Sequence, residues 1–368
     1  MQEDSQESII SLVNSIFNVG EFTKTEFTLE FKIKDLEFQT KFEDLARELE
    51  TLSYACKLLK KDDDIYIEIQ KFTIKKSRIF LNATWTPRLL FIIVISFVMI
   101  DGYYRTSGTN AIVEIGNPFQ MAIVYTLALL GILGTHELGH IIAAKAHRLK
   151  TSWPYFIPGL PILGIPTFGA FIQSKGLTIN RRILFDVAIA GPIAGLVITI
   201  IVSLYAAYTA PILDQGIAEK LFADRVLVEW EQGEPILMTA SLAVFGKGGP
   251  GHEVIMTPVM FAAWIGFLIT FLNLLPAWQL DGGHMARAVL GQKIHKYATY
   301  GSMLVLVLLN YWLMAILILL MSTKNPSAVP LDDISPLTRT RKLRYIGIVI
   351  LAVLCAPFPS GLFSGILP

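Results

Sequence analysis

Along the chain the apolar positions change character near residue 87. Before it they follow an ordinary soluble pattern: helical spacing over 5–17, β-rich runs over 22–33 and 36–40, and a second helical run over 41–52. Two further strand-like runs, 54–59 and 65–70, flank the polar turn Lys60-Lys61-Asp62-Asp63-Asp64. After residue 87 the apolar runs become continuous. The stretches 115–135, 187–213, 254–280, 297–323 and 345–368 contain no Asp, Glu, Lys, Arg or His. Each reaches the roughly 20 residues that a bilayer core requires. A shorter run over 89–100 is extended by Trp85, Tyr103 and Tyr104, whose rings suit the membrane interface. The expected fold class is therefore mainly α: a polytopic transmembrane helical bundle of about six spans with a small N-terminal α+β soluble domain. The expected division is 1–86 for that domain, 87–300 for the membrane core, and 301–368 for C-terminal spans of no assigned role.

Composition agrees with a membrane location. The 368 residues are 53% hydrophobic and 17% charged, with a mean hydropathy of +0.54, outside the range of ordinary soluble domains. With 31 basic and 30 acidic residues there is no overall field to attract nucleic acid. The acidic start MQEDSQES lacks the basic region of a cleaved signal peptide, so insertion is expected to use the internal spans. Cys56 and Cys355 lie too far apart in sequence and character to suggest a disulfide framework. Loop charge sets an orientation. Lys75, Lys76, Arg78 and Arg88 precede the first apolar run, and Lys145, Arg148, Lys150, Lys175, Arg181 and Arg182 outnumber Asp186 in the second loop, placing both on the cytoplasmic side. The 214–253 loop, with three basic and seven acidic residues, falls outside, and the 281–296 loop inside. Alternation then fails: Lys324, Arg339, Arg341, Lys342 and Arg344 stand in a loop that parity puts outside.

Chemistry concentrates in two places. At the end of the second span stands Thr135-His136-Glu137-Leu138-Gly139-His140. On a helix the i, i+4 spacing puts both imidazoles on one face, close enough to share Zn²⁺, with Glu137 able to reach a water there as general base. A catalytic zinc normally has three protein ligands. The candidate for the third is Asp281, in Asn273-Leu274-Leu275-Pro276-Ala277-Trp278-Gln279-Leu280-Asp281-Gly282-Gly283-His284 at the end of the fourth span. The second and fourth spans run in the same direction, so their ends meet at one face. Pro276 interrupts the helix, and Gly282-Gly283 frees the backbone beyond it. Taken alone, Asp-Gly-Gly also reads as a plain helix-ending turn.

Together these motifs resemble the site-2 protease family of intramembrane zinc metalloproteases, marked by His-Glu-x-x-His and Asn-x-x-Pro-x-x-x-x-Asp-Gly. The resemblance covers about 87–295 and is closest to the branch without a PDZ domain that includes plastid-type and prokaryotic members. It implies His136, His140 and Asp281 as zinc ligands, Glu137 as catalytic acid/base, and single-span membrane proteins as substrates, cut within or near their membrane segment. The run from Asp186 to Gly195 is similar to the family's small-residue segment. Gly191, Ala194 and Gly195 would let another helix approach closely. The N-terminal domain would lie in the cytoplasm and could hold partners.

The remaining features are read conservatively. His147 and His295 are expected to be solvated, His252 to lie in a turn, and His284 to stand behind the ligands or serve as a spare one. Asp186 is expected to be neutralised by Arg181 and Arg182. Asn273, polar within a span, is expected to bond the site or a substrate backbone. Residues 153–171 hold Pro154, Pro158, Pro161 and Pro166, which exclude a regular helix. That segment suits a re-entrant or surface-lying loop against a cavity. Within it Gly169, Phe171 and Ile172 belong to a run, 164–173, that could present an edge strand to substrate. A transporter or metal-binding receptor using the same ligands, and a scaffold acting through the N-terminal domain, are rival readings. Glu137 argues against pure metal binding, which needs no carboxylate beside the first ligand.

Overall fold

A computed structural model describes residues 2–25, 27–72, 85–161, 164–172, 177–228, 230, 232–249, 251–324 and 328–358. The basic run at 75–78, Lys175, Gln173 and the end of the expected 345–368 span lie outside the described residues.

The N-terminal part forms α1 (Gln2–Ile16), β1 (Val19–Lys24), β2 (Thr28–Ile33), α2 (Phe38–Thr51), β3 (Tyr54–Lys61) and β4 (Asp64–Lys71). The sheet is antiparallel in the order β1-β2-β4-β3. The expected hairpin is present, tightened to a turn at Asp62, whose φ of 55° suits a short polar side chain. Two expectations change. The run 22–33 is two strands rather than one, and 36–40 is not a strand, because α2 begins at Phe38. Phe42, Leu45, Ala46 and Leu49 recur at helical spacing and bury α2 against the sheet face that carries Leu29, Phe31, Ile67 and Ile69.

The apolar region opens with α3 (Thr86–Asn110), α4 (Pro118–Ala146), the hairpin β5 (Tyr155–Leu160) and β6 (Ile165–Phe171), and α5 (Arg181–Thr209). Asn117 caps α4 by accepting from the amides of Phe119 and Gln120, with Pro118 at the first helical position. Asn180 caps α5 by accepting from the amide of Ile183 at 2.8 Å. There follow β7 (Ile212–Asp214), α6 (Gln215–Ala223), β8 (Glu234–Pro235), α7 (Ile236–Val244), β9 (His252–Val254), α8 (Pro258–Leu274), α9 (Asp281–Leu308), α10 (Trp312–Lys324), α11 (Arg339–Cys355) and β10 (Pro357–Phe358). Among the described residues, α3, α4 and α5 are long and apolar enough to cross a bilayer, whereas α8, α10 and α11 are shorter. Outward-facing Val197, Ile201, Tyr205, Leu304, Leu308, Leu317 and Ile350 are exposed, the distribution expected of helices whose solvent is lipid.

The stretch 297–323, expected as one span, is two helices. Asn310, at φ 66°, ends α9, and the amide of Tyr311 closes the turn on the carbonyl of Leu306 at 2.7 Å. α10 then folds back along α9, so the described part of the basic segment, 328–344, returns to the end where α9 began. Its position there is fixed by Asp333, which pairs with Arg287 near the start of α9 at 2.9 and 2.6 Å. One apolar run of 27 residues is thus spent on a helical hairpin rather than on a single helix.

The Pro/Gly segment is neither helix nor irregular loop. Its strands pair antiparallel, Tyr155 opposite Phe171 and Leu160 opposite Ile165, with an irregularity between Phe156 and Pro158, where proline cannot donate. This hairpin lies along α3.

Candidate metal centre

His136, Glu137 and His140 occupy the last third of α4 and are all buried. Their surroundings follow from the small residues on the crossing with α5. A Cβ on Gly139 would come within 2.5 Å of the carbonyl oxygen of Ala190, one on Gly191 within 2.1 Å of His140 Nε2, and one on Gly195 within 3.0 Å of His136 Cβ. Absence of side chains at these positions lets the α5 backbone touch the imidazoles. One result is a hydrogen bond of 2.9 Å between His140 Nδ1 and the carbonyl of Val187. A carbonyl only accepts, so Nδ1 carries a proton and Nε2 is the ring nitrogen turned toward Asp281.

Asp281 arrives from the other side. α8 ends at Leu274, and Leu275 is extended (ψ 136°) as the residue before Pro276 must be. The loop to Leu280 is held by two groups on α9. The Trp278 amide donates to Thr299 Oγ1 at 3.1 Å, and His295 Nε2 lies 3.1 Å from the Trp278 carbonyl. Asp281 then opens α9, where the helix dipole favours an acid. Gly282 and Gly283 act here by size rather than freedom. A Cβ on either would sit 2.2 to 2.3 Å from the carbonyl oxygens of Leu274, Ala277 or Trp278.

The three side chains meet. His136 Nε2 and His140 Nε2 are 3.1 Å apart, and each is 3.3 Å from Asp281 Oδ2. Tetrahedral zinc with bonds of about 2.0–2.1 Å has ligand-to-ligand edges of about 3.3–3.4 Å. The donor chemistry points the same way, since two imidazole nitrogens and a carboxylate oxygen are a donor set that catalytic zinc takes. These residues fit a zinc ion.

A cavity of about 480 Å³ opens on this centre and is lined by Glu137, Asn273, Phe171, Ile172, His284 and Ala328 among others. The Asn273 amide approaches His136 Nε2 at 3.5 Å. His284 lines the cavity with a buried Nδ1 that has no hydrogen-bond partner among the described residues. Gly169 is not on the wall. It has φ 95° within β6, where its amide donates to Thr167 Oγ1 at 3.1 Å.

The model of peptidase family M50 matches residues 124–310. The chain belongs to that family. Within it, the chain is 30% identical over 247 residues to the probable chloroplastic zinc metalloprotease EGY2 of Arabidopsis thaliana, covering 64% of this chain and 41% of that protein. It is 30% identical over 260 residues to the probable chloroplastic zinc metalloprotease EGY1 of the same plant, covering 67% and 44%. The rice (Oryza sativa subsp. indica) EGY2 is 28% identical over 249 residues, covering 63% and 42%. The chain thus spans about two fifths of the length of the curated M50 relatives it matches. No solved structure matches it significantly.

Around the M50 motifs, several residues are placed otherwise than expected. His295 is buried under the Trp278 loop and is not solvated. Asp186 is neutralised by Arg341, at 2.8 and 2.7 Å, with His147 Nε2 at 3.3 Å, rather than by Arg181 and Arg182. Arg181 instead caps the helix segment before the Gly291 break by donating to the Ala288 carbonyl at 2.7 Å, while Arg182 reaches Glu43 on α2 at 3.0 Å. His252 belongs to β9, paired with β7. Arg287, 1% exposed, gave no sequence signal of its burial, because it stands with Lys293 and Lys296 in a stretch that reads as a basic loop.

Proposed function

We propose that this protein is an intramembrane zinc metalloprotease that hydrolyses peptide bonds within or near the transmembrane segment of single-span membrane proteins. The observation that carries the reading is the triangle of His136 Nε2, His140 Nε2 and Asp281 Oδ2, with edges of 3.1 and 3.3 Å, beside the buried carboxylate of Glu137. Family membership and the printed names of the relatives, probable zinc metalloproteases, support it.

In this reading His136, His140 and Asp281 hold the zinc ion, which supplies a Lewis acid that makes water acidic near neutral pH and polarises a carbonyl. Glu137, one residue past the first ligand, takes the proton released when water adds to the scissile carbonyl. It delivers that proton to the leaving amine, so the carboxylate ends as it began. His140 is kept in the right tautomer by the Val187 carbonyl. Asn273 is read as a hydrogen-bond partner for substrate backbone, which its approach to His136 Nε2 at 3.5 Å supports. β6 forms a two-stranded sheet with β5, and its outer edge could pair with an unwound substrate segment, replacing the hydrogen bonds that the substrate helix gives up. Phe171 and Ile172 bring the end of that strand to the cavity wall.

The site-bearing face, the N-terminal domain of residues 1–86 and the segment 324–344 are read as cytoplasmic, on their excess of basic residues near the apolar runs. Residues 87–300 are read as the catalytic membrane core. A transporter holding zinc on the same ligands would not need Glu137. The test is Glu137→Gln: zinc content and fold should be retained while cleavage of a generic single-span substrate is lost, and a chelator should abolish cleavage by the unaltered protein. Cleavage by Glu137→Gln at near the original rate refutes the mechanism.

A further inference from the structure

The β5–β6 hairpin is held at both ends. Near the metal centre, Phe156 of β5 packs its ring 4.8 Å from Phe91 of α3, and Tyr155 stacks on Phe171 at 5.5 Å. At the other end Gly164, with φ 70°, offers its carbonyl to Arg105 Nη2 at 3.0 Å. Phe91 and Arg105 are fourteen residues apart on α3, about 21 Å of helix. Six residues of β5 cover a similar distance, about 20 Å. The hairpin therefore runs alongside α3 through most of a hydrocarbon core about 30 Å thick.

The tip meets α3 beside Tyr103 and Tyr104, at the interfacial end of that helix, and the Gly164 carbonyl lies outside the hairpin's own ladder and needs a partner. Arg105 supplies that partner and is itself held in place. Its Nε donates to Asp101 Oδ2 at 2.8 Å, and the same oxygen accepts from the Tyr125 hydroxyl of α4 at 2.7 Å. The guanidinium lies 3.5 Å above the ring of Phe261 of α8. Asp101 and Tyr125 are buried, at 6% and 0% exposure. A charged fork, its carboxylate, a hydroxyl and an aromatic face thus converge from α3, α4 and α8 upon one carbonyl of the hairpin tip. Only arginine can use the edge of its plane for two acceptors and its face for a ring at once.

We propose that Arg105 is the positioning residue that sets the depth of the β5–β6 hairpin, and through it the register in which β6 presents substrate backbone to the metal centre. The kinetic half of this proposal rests on the function proposed above; the structural half does not. Removing Arg105 alone would strand Asp101 without its cation, so the informative variant is the neutral pair Arg105→Met with Asp101→Asn, beside Arg105→Lys, which keeps charge but loses the fork. The full-length protein in detergent is followed by hydrogen exchange of peptides covering 155–172, by zinc content, and by KM and kcat on a single-span substrate.

The neutral pair should raise exchange of the β6 amides about tenfold or more. It should raise KM by about five- to twentyfold, with zinc unchanged and kcat within about twofold. Arg105→Lys should fall between. Unchanged exchange in the neutral pair overturns the anchor. Raised exchange with unchanged KM overturns the link to substrate register. A wild-type protein without zinc or cleavage overturns the proposed function, and the exchange arm still decides the anchor.

Discussion

Adding one methyl group at Gly191 should empty the metal centre while leaving the membrane fold standing. The Cβ of Gly191→Ala would be 2.1 Å from His140 Nε2 and 2.4 Å from its Cδ2. Ordinary contact starts near 3.4 Å, so the imidazole must retreat by about 1.3 Å or α4 and α5 must part. Zinc–nitrogen bonds lie at about 2.0–2.1 Å and tolerate about 0.2 Å. A shift several times larger removes the ligand. Loss of a group that merely orients a ligand costs about 10- to 100-fold in affinity, so loss of the ligand itself should cost at least about 100-fold, or about 2.7 kcal/mol. The fold should suffer less, because overpacking costs about 1–3 kcal/mol while alanine returns up to about 1 kcal/mol of helix propensity. The assay is zinc per protein by elemental analysis, repeated under a graded competing chelator. Gly195→Ala, whose Cβ would be 3.0 Å from His136 Cβ, should show a smaller loss; Gly131→Ala and Gly134→Ala, with nothing within 4 Å, should show none. A Gly191→Ala protein that keeps one zinc at unaltered affinity would refute the packing argument.

Three other outcomes are expected. Cys56 is buried, and burial pushes its thiol up to about 12, so it will not report topology; cysteines introduced at Asp63 and Lys342 should instead react with an impermeant maleimide from the same side, and opposite sides would refute the return of α10. Glu43 is partly buried, which opposes its charge, but the Arg47 hydrogen bond and the Arg182 charge prevail and hold its carboxyl below the ordinary value. Its contribution to docking α2 on the α5 cap is thus present above the ordinary glutamate pKa and lost as pH falls through the lowered one; limited proteolysis should release the N-terminal part sooner at pH about 3.5 than at 6, and Glu43→Gln should abolish the difference. Asp333→Ala leaves Arg287 buried without its partner, which should cost about 3 kcal/mol, read as a fall in Tm, and Arg287→Met in the same protein should recover part of it; a change under about 0.5 kcal/mol would show the pair to be idle.

The metal centre was legible because each of its requirements leaves a local mark. A four-residue helical spacing places two histidines, a proline fixes where α8 stops, and a shared span direction brings the two ends together. Lipid-facing helices were legible as uncharged runs, though length alone could not distinguish a crossing from the α9–α10 hairpin, whose turn depends on a single left-handed residue, Asn310. The hairpin β5–β6 was half legible: prolines ruled out a helix, but the strand partner and the contact with α3 are long-range. What could not be read were charge partners. Asp186 has Arg181 and Arg182 within a turn or so of chain, yet it pairs with Arg341, 155 residues away. Neighbouring cations on a helix start point outward to the cap and to α2, while the partner comes from whichever segment the fold lays across that face.

That crossing segment explains why residues beyond the M50 match belong to the site's architecture. The Leu331 amide donates to the Thr178 carbonyl at 3.0 Å and the Asp332 amide to that of Ile179 at 2.7 Å, while the Leu331 carbonyl accepts from Leu58 of β3 at 3.0 Å. The strand edge of the N-terminal sheet and the lead-in to α5 are thereby joined through one strap. Asp333 next fixes Arg287, six residues beyond the metal-facing Asp281 on the same helix, and Arg341 fixes Asp186, five residues before Gly191. Both helices that must keep their distance from the α4 imidazoles within tenths of an ångström are therefore pinned from the same side by the same stretch of chain. Ala328, at its near end, lies on the cavity wall itself. The N-terminal part is thus tied to α9 and α5 through the strap, and to the end of α4 directly, where Arg47 of α2 donates to the His147 carbonyl at 3.0 Å.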